Sequence, residues 1–401
     1  MPPWMDDDLE ERRRRGLYRV RRRLASGQGP RVLYRGREFV NFSSNDYLAL
    51  AGDPRLARAA AAAARRYGCG AGASPLVSGH LPPLRALERA LARWEGTEAA
   101  LVFSSGFAAN LALVAGLAGR EDAVFSDARN HASLIDGCRL SRAGIHVYRH
   151  ADLAHLADLL SGEAGRARRR LIVTDTVFSM DGDLAPLAGL LDLAERFDAL
   201  LLSDEAHATG VIGPGGRGVS ELLPVARRHS DRLVKVGTLS KALGAQGGFV
   251  CGSRQLVRWL VNHARPYIFS TALAPPVAAA ARAALALVQA EPEWRGHLLA
   301  LAERLREGLR ALGYDVGDSR CHIIPVIVGG AREAVALSAR LEEHGLLVPA
   351  IRPPSVPEGT ARLRISLTAG HTEADVTRLL TALRRLRGTT APRCRRGEGS
   401  A

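Results

Sequence analysis

Lysine is nearly absent from this chain. Of 55 lysines and arginines only two are lysine, Lys235 and Lys241. Lys241 sits in VGTLSKALGAQGG, between a short apolar run and a glycine-rich turn. A primary amine adds reversibly to an aldehyde, whereas a guanidinium stays protonated and does not. A chain that takes Arg wherever a cation serves keeps Lys where amine chemistry is needed. Other reactive groups also stand just beyond apolar runs: Asp204 and His207 in ALLLSDEAHATG, His131 in VFSDARNHAS, Ser179 in TVFSMDGDLAPL and Thr238 in VKVGTLSK. FSSGFAAN sets Ser104, Ser105 and Gly106 where a strand passes into a helix, and backbone amides at such a junction bind phosphate. Singly, each has a plainer role: Asp204 caps a turn, a lone His is structural, and many such junctions bind nothing. Together, an amine, a strand-end acid, two imidazoles and a phosphate-binding turn suit pyridoxal phosphate (PLP), whose chemistry is to accept carbanion electrons. Lys235 lies inside the strand VKVG and is assigned no role.

These groups need a scaffold that gathers strand ends. From residue 99, apolar runs at 99–104, 122–127, 145–150, 169–179, 199–207, 232–241 and 246–252 alternate with helical patterns. That alternation implies an α/β fold, a mostly parallel sheet with helices on both faces and ligands beyond the carboxyl ends of its strands. Before it, residues 8–25 read as a charged helix and RVLYRGREFVNF as a hairpin about Arg35-Gly36. The stretches 53–68 and 81–96 read as helices, the first capped by Asp53, with Pro54 at its first position and Gly68 at its end. A long helix near 275–291 leads to a smaller α+β domain with strands near 323–328 and 362–367. The expected division is an N-terminal segment 1–50, a large domain 51–285, a small domain 286–387 and a disordered tail 388–401.

Composition narrows the alternatives. The apolar fraction of 47% is that of a globular protein. Cys69, Cys138, Cys251, Cys321 and Cys394 are scattered without a CxxC pair, which argues against structural zinc or a disulfide framework and suits a reducing cytosol. The first residues lack a secretory apolar region, and no run is long enough to span a membrane. The net charge of +14 invites a nucleic-acid reading. Yet acidic Asp6 to Glu11 followed by Arg12 to Arg15 reads as a solvated helix with internal ion pairs, and charge alone does not explain the strand-end cluster. GPGGRG (213–218) matches a dinucleotide-binding pattern but contains a proline and reads as a turn. DEAH (204–207) matches a helicase motif, but neither lysine is followed by Ser or Thr, so the phosphate grip is missing. No G-x-S-x-G nucleophile elbow is present.

NFSSNDYLAL, GAGAS, FSSGFAAN, NHAS, SMDGDLAPL, DEAHATGVIGPGGRG, GTLSKALGAQGG and RPPSVPEGTARLRISLTAGHT, in this order across nearly the whole chain, resemble the α-oxoamine synthases. The resemblance implies a PLP-dependent acyltransferase of the aspartate-aminotransferase fold, with a seven-stranded sheet in its large domain. It implies that Lys241 holds the cofactor and acts as general base, that Asp204 pairs with the ring nitrogen, and that His207 and Ser179 reach the phenolic oxygen. It also implies that His131 stacks on the ring and donates to the keto oxygen. Gly106 and Phe107 offer backbone amides to the phosphate, and Thr238 a hydroxyl. Ser270 and Thr271 in YIFSTALAPP match the stretch that reaches the partner subunit's phosphate, which implies a homodimer with active sites at the interface. DEAHATG and RPPSVPEGTARLR resemble the members that join L-alanine to pimeloyl-CoA or pimeloyl-acyl carrier protein; sibling synthases take glycine or serine. Arg364 matches the position that holds the amino acid's carboxylate. Arg19, Asn45, Arg352 and Ser355 match positions on the substrate side, the register of Arg19 within GLYRVRRR being open. One departure is Leu84 in HLPPLRALE, where family members often carry His.

Overall fold

The computed structural model describes residues 2–387; the tail expected at 388–401 lies outside them. The first helix, α1, spans Pro3–Arg14 and buries nothing. Its exposed flank carries the pairs Asp8–Arg12, Glu10–Arg13 and Glu11–Arg14, so its charges are largely answered within one helix. It stops well short of the expected residue 25. Gly16 turns left-handed at φ +67°, and the amides of Leu17 and Tyr18 fold back onto the Arg12 carbonyl, which ends the helix and sends the chain on extended. The hairpin β1 (Arg31–Tyr34) and β2 (Arg37–Asn41) turns at Arg35 and Gly36, both at positive φ. Helix α2 (Pro54–Tyr67) is capped by the Asp53 side chain on the Arg55 amide, and α3 spans Pro82–Glu95. Leu84 is buried on α3 in the core.

The large sheet holds β3 (Ala99–Phe103), β4 (Ala123–Asp127), β5 (Gly144–Tyr148), β6 (Arg170–Asp175), β7 (Leu200–Asp204), β8 (Leu233–Thr238) and β9 (Gly248–Gly252). Their order is β3-β9-β8-β7-β6-β4-β5. All neighbours run parallel except β9, which is antiparallel to both β3 and β8. After β4 the chain goes outward to β5 and then returns to β6 on the other side of β4. That reversal opens a crevice beyond the carboxyl ends of β4 and β6. Both faces are covered. Leu101, Phe103, Val124, Val173, Leu202 and Val236 pack under α4 (Gly106–Leu117) and α5 (Ala132–Ser141), while Phe125, Ile172, Leu201 and Phe249 join the larger core on the opposite face. Burial on both faces is why the inner strands read as continuous apolar runs, whereas the edge strand β5 buries only Tyr148 fully.

A second sheet joins β10 (Ile323–Gly329), β12 (Ala350–Ile351) and β13 (Ala361–Ser366) in the order β10-β13-β12, all antiparallel. β11 (Leu346–Leu347) instead pairs with β2, tying the hairpin to this part of the chain. No helix among the described residues is long and apolar enough to cross a membrane.

Candidate active site

Lys241 lies just past β8, half-buried, on a turn in which the Gly244 amide bonds its carbonyl. Gly244 has φ +59°, and a Cβ there would meet the Ala51 amide at 2.5 Å, so the turn requires glycine. Burial pulls the Lys241 amine down to about 8; Asp204 and Asp175 oppose that pull, and Arg364 adds to it.

Asp204 ends β7 directly opposite Asp175, the end of β6. One Asp204 oxygen takes the Ala206 amide at 2.8 Å and the other takes Asn110 Nδ2 at 2.6 Å. The same amide group reaches Ser133 Oγ, which in turn contacts His131 Nδ1 at 2.8 Å. Asp175 accepts the His131 backbone amide at 2.6 Å. Burial, and then the Asp204 charge beside it, push the Asp175 carboxyl well up, so this pair resists a second negative charge. His131, Asp204 and Lys241 are thus brought together at the sheet reversal, with Asn110, Ser133 and Asp175 as supports.

A second arm approaches from the small sheet. Arg364, on β13, is buried and donates to Asn45 Oδ1 at 3.1 Å, to Ser366 Oγ at 2.9 Å, to Tyr47 Oη at 3.4 Å and to the Ser179 carbonyl. No ion pair answers it among the described residues. Tyr47 Oη also lies 2.6 Å from His207 Nδ1 and donates to Asn45 Oδ1 at 3.1 Å. Burial, Lys241 and Arg364 hold His207 well below the usual imidazole range, so it is neutral. His322 packs edge-on against Tyr47 at 3.9 Å between ring centres; burial and Arg364 pull it down to about 3, and neither ring nitrogen has a partner. Ser179 joins this arm through its carbonyl; its hydroxyl makes no hydrogen bond among the described residues.

The phosphate-binding turn is built by close packing. Ser105 caps α4 by accepting the Ala108 amide at 3.0 Å, which leaves the Gly106 and Phe107 amides at the open helix end. A Cβ on Gly248 would meet Gly106 Cα at 2.6 Å, and one on Gly106 would meet Thr238 Oγ1 at 3.3 Å. Thr238 Oγ1 is held by the Gly247 carbonyl and by Ser240. A helix terminus, a hydroxyl, an amine and a strand-end acid side by side form a donor set that fits PLP.

The remaining expected residues stand further out. Asn45 is exposed but held by Arg364 and Tyr47. A cavity of about 440 Å³ runs from Asn45 past Ser43 and Arg22 to Ser240. Arg352 donates to the carbonyls of Gly16 and Tyr18, anchoring the N-terminal segment, and the charges of Arg19 and Arg22 lie close enough to act on it. Arg22 is tied to Glu342, whereas Arg19 is exposed without an ion pair among the described residues. Ser355 is exposed, its amide on the Arg352 carbonyl. Ser270 and Thr271 make no hydrogen bond to the Lys241 cluster, and Thr271 is exposed. Of the DEAH run, Glu205 is structural: its carboxylate takes Thr176 Oγ1 and the amides of Val219 and Ser220.

Comparison with known proteins agrees with this architecture. Residues 37–383 match the family "Aminotransferase class I and II". An 8-amino-7-oxononanoate synthase from Anaeromyxobacter sp. (strain Fw109-5) is 56% identical over 393 residues, covering 97% of this chain and 98% of that one. Among solved structures, SPT (serine palmitoyltransferase) with PLP superposes with a TM-score of 0.90 at 31% identity, over 96% of this chain and 97% of that one. The 8-amino-7-oxononanoate synthase from Francisella tularensis does so with a TM-score of 0.75 at 29% identity, over 88% and 98%.

Proposed function

The chain belongs to the class I and II aminotransferase family, and we propose that it performs the 8-amino-7-oxononanoate synthase reaction of biotin biosynthesis. L-Alanine and pimeloyl-CoA, or pimeloyl-acyl carrier protein, give 8-amino-7-oxononanoate, carbon dioxide and the free thiol carrier. The observation that carries this reading is the convergence of two cations, Lys241 and Arg364, neither in an ion pair among the described residues, on one crevice. One is an amine lowered enough to react; the other is a buried guanidinium that lacks a carboxylate.

When bound, PLP supplies an electron sink for the pair released at the alanine Cα, first on proton removal and again on loss of carbon dioxide. The chain's own residues do the rest. Lys241 would hold the cofactor's aldehyde, and as a neutral amine it would take the alanine Cα proton. Asp204, fixed by Asn110 and the Ala206 amide, keeps the ring nitrogen protonated. Gly106 and Phe107 amides and the Thr238 hydroxyl receive the phosphate, joined by Ser270 and Thr271 of a second copy in a homodimer. His131 would cover the ring and donate to the product's keto oxygen. His207, oriented by Tyr47, and the Ser179 hydroxyl would reach the phenolic oxygen. Arg364 binds the alanine carboxylate through a charged hydrogen-bond pair. Arg19, Asn45, Arg352 and Ser355 serve the acyl side, and of these Asn45 lines the 440 Å³ cavity.

The test is product formation from L-alanine and pimeloyl-CoA by purified, PLP-loaded protein, read by mass spectrometry. Lys241→Ala abolishes turnover. Arg364→Leu raises KM for alanine by about 10- to 100-fold, the loss of a charged hydrogen-bonded contact. Turnover only with glycine and a short acyl-CoA moves the protein to a sibling activity.

A further inference from the structure

The other lysine lies near the opposite end of the same strand. β8 runs from Leu233 to Thr238, so Lys235 stands near its start and Lys241 beyond its end. Lys235 is 8% exposed, and its Nζ donates to Glu95 Oε2 at 2.6 Å and to the Arg217 carbonyl. Glu95 is 6% exposed, and its Oε1 has no hydrogen-bond partner among the described residues. Both side chains line a cavity of about 720 Å³ at the amino ends of β7 and β8, where Leu200 and Leu233 also lie. That size is typical of a small-molecule site. Trp259 and Leu256 give it an apolar wall. Arg228 lines it as well, with a buried Nε that has no partner and no ion pair among the described residues. None of these groups belongs to the Lys241 cluster.

A plain structural ion pair leaves nothing unmet, but this one does. A buried carboxylate oxygen without a donor is unfavourable. An ammonium has three donors, and Lys235 places two. The floor of the cavity therefore offers a bare acceptor and a spare N–H within one ion pair, which matches a hydroxyl, a group that donates and accepts at once. Arg228 adds an unanswered cation in the same cavity. We propose that this cavity is a second binding site for a small hydroxylated organic anion. Its hydroxyl sits on the Glu95–Lys235 pair and its carboxylate or phosphate on Arg228.

Ligand-observed NMR on the PLP-loaded protein tests this with four probes. Glycerate and glycerol 3-phosphate carry both features, and comparing them separates a carboxylate from a phosphate ligand. Propionate lacks the hydroxyl and glycerol lacks the charge. At least one of the first pair binds, and does so about tenfold or more tighter than propionate or glycerol. Glu95→Gln and Arg228→Ala each weaken that binding by a similar factor, whereas Arg364→Leu leaves it unchanged. If Glu95→Gln does not fold, Arg228→Ala decides alone, because Arg228 makes no ion pair among the described residues. Absence of binding by both anions overturns the proposal. So does binding that Arg364→Leu removes and Arg228→Ala does not, and the Lys235–Glu95 pair is then structural only.

Discussion

Lys241 shows how far a residue's chemistry is set by its neighbours. The neutral amine is the form that adds to an aldehyde. Burial lowers the amine to about 8, while Asp204 and Asp175 keep it from falling further. Capture of PLP by the cofactor-free protein therefore accelerates as pH rises through about 8 and levels off above it. Removing the negative charge in Asp204→Asn shifts that midpoint to lower pH, and removing the positive charge in Arg364→Leu shifts it to higher pH. Stopped-flow absorbance of cofactor uptake reads all three; a midpoint near about 10.4, that of a free lysine, refutes the account. The amine was visible in the sequence because lysine is so scarce. Its supports were not. Asn110 and Tyr47 both lie within quoted motifs, but their partners are Asp204 and His207, 94 and 160 residues away. Asp175 reads as one more buried strand residue until the sheet sets it opposite Asp204. Local pattern carries no information on such pairings.

At the scale of elements, the loop after β6 shows how a local clamp serves the site. His150 lies between Asp127 at 2.9 Å and Asp183 at 2.7 Å, with the Phe178 ring perpendicular to its own at 4.4 Å between centres. Arg362 holds Asp181 in the same loop, and the Ser179 carbonyl receives Arg364. Burial pulls the His150 imidazole down, but its bonds to Asp127 and Asp183 outweigh that and push it up to about 9. A folded-state value above the usual 6.5 means that the clamp's contribution is fully present below about 6.5 and is lost as pH rises through about 9. His150→Gln accordingly destabilises the protein by about 1.5–3 kcal/mol at pH 6, in the range of hydrogen bonds to charged groups. The difference shrinks above pH 9. Thermal melts of both proteins across that range check this, and a gap that stays constant refutes it. Elements whose ends carry strong local signals were legible: the hairpin at Arg35-Gly36 and the Asp53-capped helix lie where the sequence puts them. The first helix was misjudged because its charge pattern continues past Gly16 while its backbone does not.

On the whole-molecule scale, the exposed apolar surface bears on how the site is completed. Phe269 is 70% and Val77 80% exposed, and the two segments are joined where the Ala272 amide meets the Ala73 carbonyl. Their exposure beside Thr271 puts apolar surface next to the stretch that the proposed homodimer would bring to the site. Thr271 lies beside Phe269, exposed and without a hydrogen bond to the Lys241 cluster of its own chain. If a second copy supplies Ser270 and Thr271 to that cluster, each site in a homodimer draws on both chains. Two inactive variants then rescue each other. Lys241→Ala lacks the amine, and Thr271→Asp sets a negative charge where the phosphate binds. In a hybrid dimer one site carries both defects and the other carries neither. Random pairing makes half of the dimers hybrid, so an equimolar mixture, dissociated and reassociated, recovers roughly a quarter of wild-type turnover per subunit in a symmetric two-chain assembly. Hybrids separated by distinct affinity tags should show about half. Turnover no higher than the mean of the two parents means that each chain completes its own site, and the homodimer then has no part in holding the phosphate.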